Sequence, residues 1–353
     1  ASAPLGGRLA YLDWLRFLVV LLLAPFHAAI SFTGMGSVYV YDIPIRNILL
    51  AGSTPTGVGP IVLTEFTVFL DNWFMHLLFL VSGVGVVFSL QKRNAAQFMG
   101  ERCNRLLIPL LVGTLLVVSF QAWLGALSFG EFSGSFFAFF PSFLTQYFHY
   151  GHFWFLAYLF VFSALLLPLF LSIRRKGEAS RIIYIARRFA RMPLILLPAL
   201  WTGLLEALFR PGWPGSMNLV NDWAYFTVFL SFFFLGYIAG SVPELLQAFE
   251  KYRLAALILG VAAFACRIAV YAVVTVPDGY NAANIVTHAF RGIAAYGLVM
   301  AAMGYAQRYL NSQGRLLGIA RDLSFPLYFL HYAPLTAATY LLLNSGLSVW
   351  TRW

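Results

Sequence analysis

Charged residues are scarce in this sequence of 353 residues: Asp, Glu, Lys and Arg make up only 10% of it, whereas hydrophobic residues make up 61%. A water-soluble domain carries charge on about a quarter of its positions. The scarcity of charge therefore excludes an ordinary soluble fold and indicates a chain that lies mostly in lipid. The two cysteines, Cys103 and Cys266, fall in a predicted loop and inside a predicted span, so we expect no disulfide between them.

Several motifs that mark other classes of protein are also missing. The sequence has no metal-ligand spacing, no glycine-rich phosphate loop after a strand, no evident soluble domain and no convincing internal repeat. We therefore predict no bound metal, and the missing repeat argues against a transporter of the inverted-repeat type. The formal net charge is +10, but the basic residues are dispersed over many loops, so we predict no nucleic-acid partner.

What the sequence has is nine hydrophobic runs, each of a length that suits a bilayer crossing of about 20 residues. The runs are continuous and do not alternate like barrel strands, so only helices satisfy their backbone in lipid. The sequence predicts an all-α polytopic transmembrane helical bundle that forms one domain over residues 1–353. The predicted spans are Ala10–Ile30, Phe66–Leu90, Leu106–Leu127, His152–Ser172, Pro193–Phe209, Trp223–Gly240, Leu254–Val276, Ile285–Gln307 and Ser324–Leu343. A tenth span is expected after Trp353, because the last residues resemble an interfacial aromatic segment.

Basic residues cluster at the start of the first span and in every second loop, which predicts a cytoplasmic amino terminus. The loops on the other side carry acidic residues instead, namely Asp42, Glu65, Glu131 and Asp278. This pattern predicts a multi-pass protein of the bacterial inner membrane, surrounded by membrane lipid.

The first span carries three polar residues that are unusual at membrane depth: Asp13, Arg16 and His27. Arg16 and His27 are eleven positions apart, about three helical turns, so both lie on nearly one face about 16 Å apart along the axis. Asp13 lies one turn before Arg16 and can orient its guanidinium. This face suits a long ligand that is anionic at one end and reactive at the other. In the alternative interpretation Arg16 extends to the interface and His27 is a hydrogen-bonded core residue.

A pair of arginines, Arg102 and Arg105, precedes the third span on the predicted cytoplasmic side. They are one turn apart, a spacing that suits phosphate oxygens. The alternative is that they are ordinary anchors of the cytoplasmic side.

Other polar and aromatic residues occur near the ends of the spans. Ser82 and Gly83 are small enough for a helix or a ligand to approach closely. Glu206 and Arg210 are one turn apart, and the simplest interpretation is that they neutralise each other. The remaining candidates are Trp73, His152, Trp154, Asp222 and His331.

The order of these motifs resembles the membrane-bound acyltransferase family 3, in a branch similar to the glucans biosynthesis protein C group. The resemblance is carried by Leu-Asp-x-Leu-Arg ending at Arg16, by His27, by the Phe-x-x-Ser-Gly run at 79–83, and by Arg102 with Arg105. Further matches are the Gly-His-Phe-Trp-Phe-Leu run at 151–156, Asp-Trp at 222–223, Phe-Leu-Gly at 234–236, and the segment from Arg321 to His331.

The resemblance implies an inner-membrane enzyme that uses cytoplasmic acyl-CoA and modifies an acceptor, usually a glycan, on the other side. It implies that His27 is the catalytic histidine, with Arg16 and Asp13 in the same motif, and that Arg102 and Arg105 hold the phosphates of the coenzyme. The branch often has Trp-His-Met-Pro where this chain has Trp73-Phe74-Met75-His76, so no role is assigned to His76.

An imidazole suits this chemistry, because acyl transfer to a hydroxyl needs a base whose pKa is near neutral. We expect His27 to accept the hydroxyl proton while the pantetheine arm reaches it from Arg16. Ser82 or a buried arginine is a candidate oxyanion donor, and Ser82 joins Arg16, Arg102 and Arg105 as a candidate acyl-CoA-binding residue. The candidate acceptor-binding residues are Trp73, His152, Trp154, Glu206, Asp222 and His331.

Two other classes stay open. One is a proton-coupled transporter of a small polar or anionic solute, whose buried ionisable residues form the pathway. The other is a lipid- or glycan-binding scaffold without chemistry, in which His27 is dispensable. The acyl group, for which acetyl and succinyl are both reasonable, is not defined by the sequence.

Overall fold

The computed structural model of the protein describes residues 9–30, 58–128, 130–213 and 215–342, and these residues form helices and no strands. The predicted all-α fold is therefore confirmed. In chain order the main helices are α1 (Ala10–Ile30), α2 (Val62–Lys92), α3 (Ala95–Ser128), α4 (Phe136–Thr145), α5 (Gly151–Ala179), α6 (Arg181–Phe189), α7 (Leu194–Phe209), α8 (Trp223–Ser241), α9 (Pro243–Lys251), α10 (Arg253–Val273), α11 (Ala282–Tyr309), α12 (Arg315–Leu330) and α13 (Tyr332–Leu342).

Among the described residues, seven of these helices are long and apolar enough to cross a bilayer: α1, α2, α3, α5, α8, α10 and α11. They coincide with seven of the nine predicted runs. The fifth run belongs to a bent pair, α6 and α7, whose axes differ by 107°. The ninth run is divided at His331 into two shorter helices, α12 and α13. The expected tenth span and Asp42 lie outside the described residues.

Several helices begin at side-chain caps that the local sequence supplies. Asn94 accepts a hydrogen bond from the backbone of Gln97, whose side chain bonds back to Asn94 in a capping box at the start of α3. Asp222 caps α8 and Asn281 caps α11 in the same way, each bonding the backbone three residues on. Polar residues therefore set where these apolar helices start.

The chain divides into two compact units built from interleaved segments. The first unit contains the start of α1 together with Asp71–Cys103 and Tyr158–Arg321. The second contains the rest of α1, Asn104–Ala157 and the chain from Asp322 onward. The Asp13–Arg16 pair and the Glu206 network described below lie in the first unit, and the histidine cluster lies in the second.

Two glycines allow α2 and α8 to pack closely in the first unit. A Cβ atom added to Gly83 would lie 2.0 Å from the carbonyl oxygen of Phe233, and one added to Gly236 would lie 1.9 Å from that of Leu80. No real Cβ atom tolerates such distances, so both positions require glycine. Gly83, the second of the two small residues at 82 and 83, therefore serves helix packing, as small residues do in membrane bundles.

Candidate functional site

Three histidines from distant parts of the chain meet in the second unit. His27 lies in α1, His152 in the first turn of α5, and His331 at the break between α12 and α13; all three are buried. The ring centroids of His27 and His331 are 5.1 Å apart, and those of His152 and His331 are also 5.1 Å apart. The structure thus brings together three of the histidines that the sequence analysis selected.

Backbone carbonyls determine which ring nitrogens carry hydrogen in this cluster. The Nδ1 atom of His27 lies 2.9 Å from the carbonyl oxygen of Leu23, and Nδ1 of His331 lies 2.9 Å from that of Tyr328. A carbonyl oxygen only accepts hydrogen bonds, so both Nδ1 atoms are donors and both Nε2 atoms of the neutral rings carry lone pairs. The tautomer of each ring is therefore fixed by its own helix.

The two rings also contact each other in a way that agrees with this assignment. The Nε2 atom of His331 lies 3.2 Å from Nδ1 of His27. The Nδ1–H of His27 therefore makes a bifurcated hydrogen bond, to the Leu23 carbonyl and to the lone pair of His331 Nε2. The Nε2 atom of His27 makes no hydrogen bond with the residues that the structure describes. The cluster therefore presents one imidazole with an oriented ring and an unused basic nitrogen.

His152 is held in place by the last turn of α12. Its Nε2 atom lies 3.3 Å from the carbonyl oxygen of Phe329, and its own carbonyl accepts a hydrogen bond of 2.8 Å from the Tyr328 hydroxyl. Three residues earlier, outside the spans, burial lowers the pKa of the His149 imidazole to about 4. His149 is therefore neutral at pH 7 and adds no positive charge to this part of the unit.

Two tyrosines of the cluster were not predicted as site residues. The Tyr332 ring lies 4.4 Å from that of His27 and 5.5 Å from that of His152, measured between centroids. Tyr328 lies four residues before Tyr332, and its hydroxyl donates a hydrogen bond to the carbonyl of His152. Tyr328 belongs to the family segment from Arg321 to His331, and this is the one sequence feature that indicates it. Tyr332 lies just outside that segment, so no sequence feature indicates it.

Arg16 and Asp13 form an ion pair in the first unit. The Nη1 atom of Arg16 lies 3.0 Å from Oδ1 of Asp13, and its Nη2 atom donates a 3.4 Å hydrogen bond to the carbonyl of Val81. The Arg16 side chain is 36% exposed, whereas that of Asp13 is 6% exposed. The guanidinium is thus oriented by a buried carboxylate and bonds to the residue before Ser82, which is half-buried.

The other two arginines lie at a change of helix type in α3. Arg102 ends the segment Ala95–Arg102, and its guanidinium carbon lies 4.8 Å from the centre of the Phe98 ring. Arg105 lies in the π-helical segment Cys103–Leu107 and is exposed. Neither side chain is buried.

Glu206 is the centre of a buried ionic network in the first unit. Its carboxylate accepts two hydrogen bonds from Arg210, of 2.9 and 3.0 Å, and lies 3.6 Å from Nη1 of Arg291. Arg291 also donates to Asp71 and to the Tyr225 hydroxyl, at 2.9 and 3.2 Å. The predicted neutralisation of Glu206 by Arg210 is therefore present, and it is part of a larger balanced network.

The other predicted acceptor-binding residues have structural contacts in the described residues. Asp222 is buried and accepts hydrogen bonds from the backbone of Tyr225 and Met217, at 3.0 and 2.8 Å. Trp73 is the residue before the second half of α2 and is half-buried, and Trp154 is buried near the start of α5.

These features define a helical membrane protein with a buried histidine cluster and an arginine, Arg16, that is oriented by Asp13. A family model described as an acyltransferase domain, that of acyltransferase family 3, matches residues 9–353. The chain therefore belongs to acyltransferase family 3. No curated protein sequence and no solved structure matches the chain.

Proposed function

We propose that this membrane acyltransferase is an O-acyltransferase that moves an acetyl or succinyl group from acyl-CoA to a hydroxyl group of a glycan. In this proposal acyl-CoA is a cytoplasmic donor substrate, and the acceptor lies on the other side of the bacterial inner membrane. The amino terminus is cytoplasmic, and the chain belongs to the branch similar to the glucans biosynthesis protein C group. Family membership and the helical bundle support the acyltransferase class.

The observation that carries the proposal is the free Nε2 atom of His27. An acyl transfer to a hydroxyl needs a general base whose lone pair faces the acceptor and whose other nitrogen is held by a partner. His27 has both properties, because Leu23 and His331 engage its Nδ1–H and leave Nε2 unused among the described residues.

In the proposed reaction His27 removes a proton from the acceptor and coenzyme A is the leaving group. Nε2 of His27 takes the proton of the acceptor hydroxyl while the acceptor oxygen bonds to the thioester carbonyl carbon. The tetrahedral intermediate then collapses, the carbon–sulfur bond breaks, and the thiolate of coenzyme A leaves. The proton on His27 passes to the thiolate or to water, which restores the neutral base. His331 stabilises the charged imidazole because its Nε2 lone pair faces Nδ1–H of His27.

Donor binding in this proposal uses Arg16, Arg102 and Arg105, whose guanidinium groups match phosphate oxygens. Arg16 is positioned by Asp13, and Ser82 is the proposed oxyanion donor. Eleven residues of helix separate Arg16 from His27, about 16 Å along the axis. The pantetheine arm of acyl-CoA is long enough to follow this stretch of α1.

Acceptor binding is proposed for the aromatic and polar residues near His27. Within the second unit, His152, Trp154 and His331 share the neighbourhood of the cluster, and Tyr332 adds an aromatic face of the kind that stacks on sugar rings. Trp73, Glu206 and Asp222 belong to the first unit, where Glu206 and Asp222 have strong partners of their own. We therefore propose that these two carboxylates act by holding helices in place.

The alternative function, proton-coupled transport, is favoured by one observation, the buried network of Asp71, Glu206, Arg210 and Arg291. Buried ionisable residues in membrane helices often mark an ion pathway. The two functions differ in what they consume, because a transporter moves solute without turnover of acyl-CoA.

The test uses the purified chain in proteoliposomes with acyl-CoA on one side and a neutral glucan on the other. Release of coenzyme A that requires the glucan, together with an ester on the glucan found by mass spectrometry, is the expected result. Acetyl-CoA and succinyl-CoA are compared in separate reactions. Uptake of a labelled solute without any release of coenzyme A would support the transporter instead.

A further inference from the structure

In the bent helix pair, the amphipathic helix α6 runs nearly perpendicular to α7. The axes of α6 (Arg181–Phe189) and α7 (Leu194–Phe209) differ by 107°. Because α7 is an apolar segment of the kind that runs through the bilayer, we infer that α6 lies close to the plane of the membrane surface. It carries Arg181, Arg187 and Arg188 among isoleucines, the composition of a helix that rests at the lipid interface.

One face of α6 lines a half-open cavity of about 640 Å³ in the first unit. The face consists of Ile182, Ile185, Ala186 and Phe189, which are spaced as i, i+3, i+4 and i+7 and so form one stripe. The rest of the wall comes from α5, α7, α8, α9 and α11. The volume lies within the range of about 300–1,000 Å³ that is usual for ligand pockets.

The few polar side chains of this wall already have partners inside the protein. The Trp201 indole donates to the Ser231 hydroxyl at 3.2 Å, and the Thr202 hydroxyl donates to the Gly292 carbonyl at 2.8 Å. The Tyr296 hydroxyl donates to the Ile195 carbonyl at 2.6 Å. With these groups satisfied, the cavity offers almost only apolar surface to a guest, so the guest is a hydrocarbon chain.

The arginines of α6 divide into one that is paired and two that are not. Arg187 forms ion pairs with Glu178 and Glu244. Among the described residues, Arg181 and Arg188 have no carboxylate partner, and both are exposed. They are seven positions apart, so they share a face about two turns long, next to the half-exposed Ile185 at the cavity. The Arg188 guanidinium lies 5.7 Å from the centre of the Tyr184 ring, which leaves its N–H groups for an acceptor. Two guanidinium groups without a carboxylate partner at one edge of an apolar cavity suit an anionic head group.

We propose that this cavity binds one acyl chain of an anionic phospholipid, whose phosphate is held by Arg181 and Arg188. The arginines supply charge complementarity, and the satisfied apolar wall accepts the chain. Guanidinium groups near a membrane surface attract anionic lipids, and planar guanidinium suits phosphate oxygens. This lipid site lies in the first unit, whereas the histidine cluster lies in the second. The proposal does not depend on the acyl-transfer reaction.

Native mass spectrometry tests the proposal directly. The full chain is purified in mild detergent and mixed with equal amounts of phosphatidylglycerol and phosphatidylcholine that carry identical chains. We expect one phosphatidylglycerol per chain, with at least a tenfold preference over phosphatidylcholine. Equal retention of the two lipids would mean annular lipid only, and it would overturn the proposal.

Charge variants test the head-group contact. Arg181→Gln with Arg188→Gln should reduce the preference at least tenfold, whereas Arg181→Lys with Arg188→Lys should retain most of it. The matched control is Arg308→Gln with Arg315→Gln, two exposed arginines outside the cavity wall, which should leave the preference unchanged. A preference that survives the first pair, or that is lost equally in the control, contradicts the assignment of these arginines.

A cavity-filling variant tests the acyl-chain contact without changing charge. Ala186→Leu adds three carbon atoms to the wall of the cavity, and Ala190→Leu adds the same atoms on the same segment outside it. We expect Ala186→Leu to lower phosphatidylglycerol retention at least fivefold and Ala190→Leu to leave it unchanged. Unchanged retention in a monodisperse Ala186→Leu protein would show that the chain lies elsewhere.

Discussion

Nε2 of His331 lies 3.2 Å from Nδ1 of His27, and these two residues come from opposite ends of the chain. The carbonyl of Leu23 keeps the hydrogen of the His27 ring on Nδ1, which faces this contact. The carbonyl of Tyr328 keeps the hydrogen of the His331 ring on its Nδ1, so Nε2 of His331 meets the contact with a lone pair. His331 is therefore a positioning residue for His27. Its lone pair is aimed at the N–H that becomes more acidic when the His27 ring takes up a proton.

We expect His331→Ala to lower kcat much more than it changes KM for acyl-CoA. A hydrogen bond to a charged group contributes about 1.5–3 kcal/mol, which corresponds to roughly tenfold to 150-fold in rate. The measurement is steady-state kinetics on purified protein, and Thr336→Ala is the control, a buried residue of the same segment that bonds only to its own helix. An unchanged kcat in folded His331→Ala protein would remove His331 from the account.

The network around Glu206 predicts a loss of stability when this carboxylate is removed. Glu206→Ala leaves Arg210 and Arg291 buried with less compensation, and breaking a buried pair in this way costs about 3–5 kcal/mol. Arg210→Met added to Glu206→Ala should recover part of the loss, because Arg291 keeps Asp71 as a partner. Thermal unfolding in detergent measures both changes.

The same variants distinguish a structural role of Glu206 from direct acceptor binding. If Glu206 binds the glycan, Glu206→Ala raises KM for the acceptor while Tm stays the same, and Arg210→Met gives no recovery. Glu131→Ala, an exposed carboxylate in the loop after α3, is the control and should change neither quantity.

Close packing of α2 and α8 predicts opposite effects for two glycine substitutions. Gly83→Ala should lower Tm markedly, because its Cβ would lie 2.0 Å from the Phe233 carbonyl oxygen. Gly318→Ala, in α12 with no atom within 4 Å of the added Cβ, should leave Tm unchanged or raise it, since alanine favours a helix by about 1 kcal/mol over glycine. Equal Tm values for the two variants would contradict the described packing.

The proposed donor site predicts that Arg102→Ala with Arg105→Ala weakens acetyl-CoA binding at least tenfold, or about 1.4 kcal/mol. The reason is the loss of two guanidinium groups that match the phosphates of the coenzyme. Isothermal titration calorimetry measures the affinity, with Arg175→Ala plus Lys176→Ala as the control at another basic loop. Equal affinity for wild type and a folded double variant would rule out this donor site.

Hydropathy predicted the helical class and seven single spans, because lipid requires long apolar helices whatever their partners are. The same reasoning did not predict the break at His331 or the bend between α6 and α7. Both runs are apolar enough to be continuous, and only contacts with other helices decide where they turn. The basic residues of the loop that contains α6 predict topology, and the helical spacing of isoleucines and arginines in α6 also matches an interfacial helix.

The candidate site was predictable where its geometry lies within one helix. The spacing of Asp13 and Arg16 led to an expected contact, and the structure has it at 3.0 Å. The pairing of Glu206 with Arg210 is of the same local kind. By contrast, the contacts of His27 with His331 and Tyr332 join residues about 300 positions apart, and no periodicity in a single sequence encodes them.

The role of His27 as the general base is tested most directly by the rate of acyl transfer in His27→Gln. The control is His288→Gln, which changes a histidine of the membrane helix α11 outside the cluster. Glutamine keeps much of the volume and hydrogen bonding of histidine but takes up no proton at neutral pH. As a general base, His27 should contribute roughly 10²–10⁴ in rate. We predict that His27→Gln loses at least a hundredfold in kcat with acyl-CoA affinity and Tm close to wild type, while His288→Gln retains most activity. Transfer by the folded His27→Gln protein within a few-fold of the wild-type rate would contradict the account.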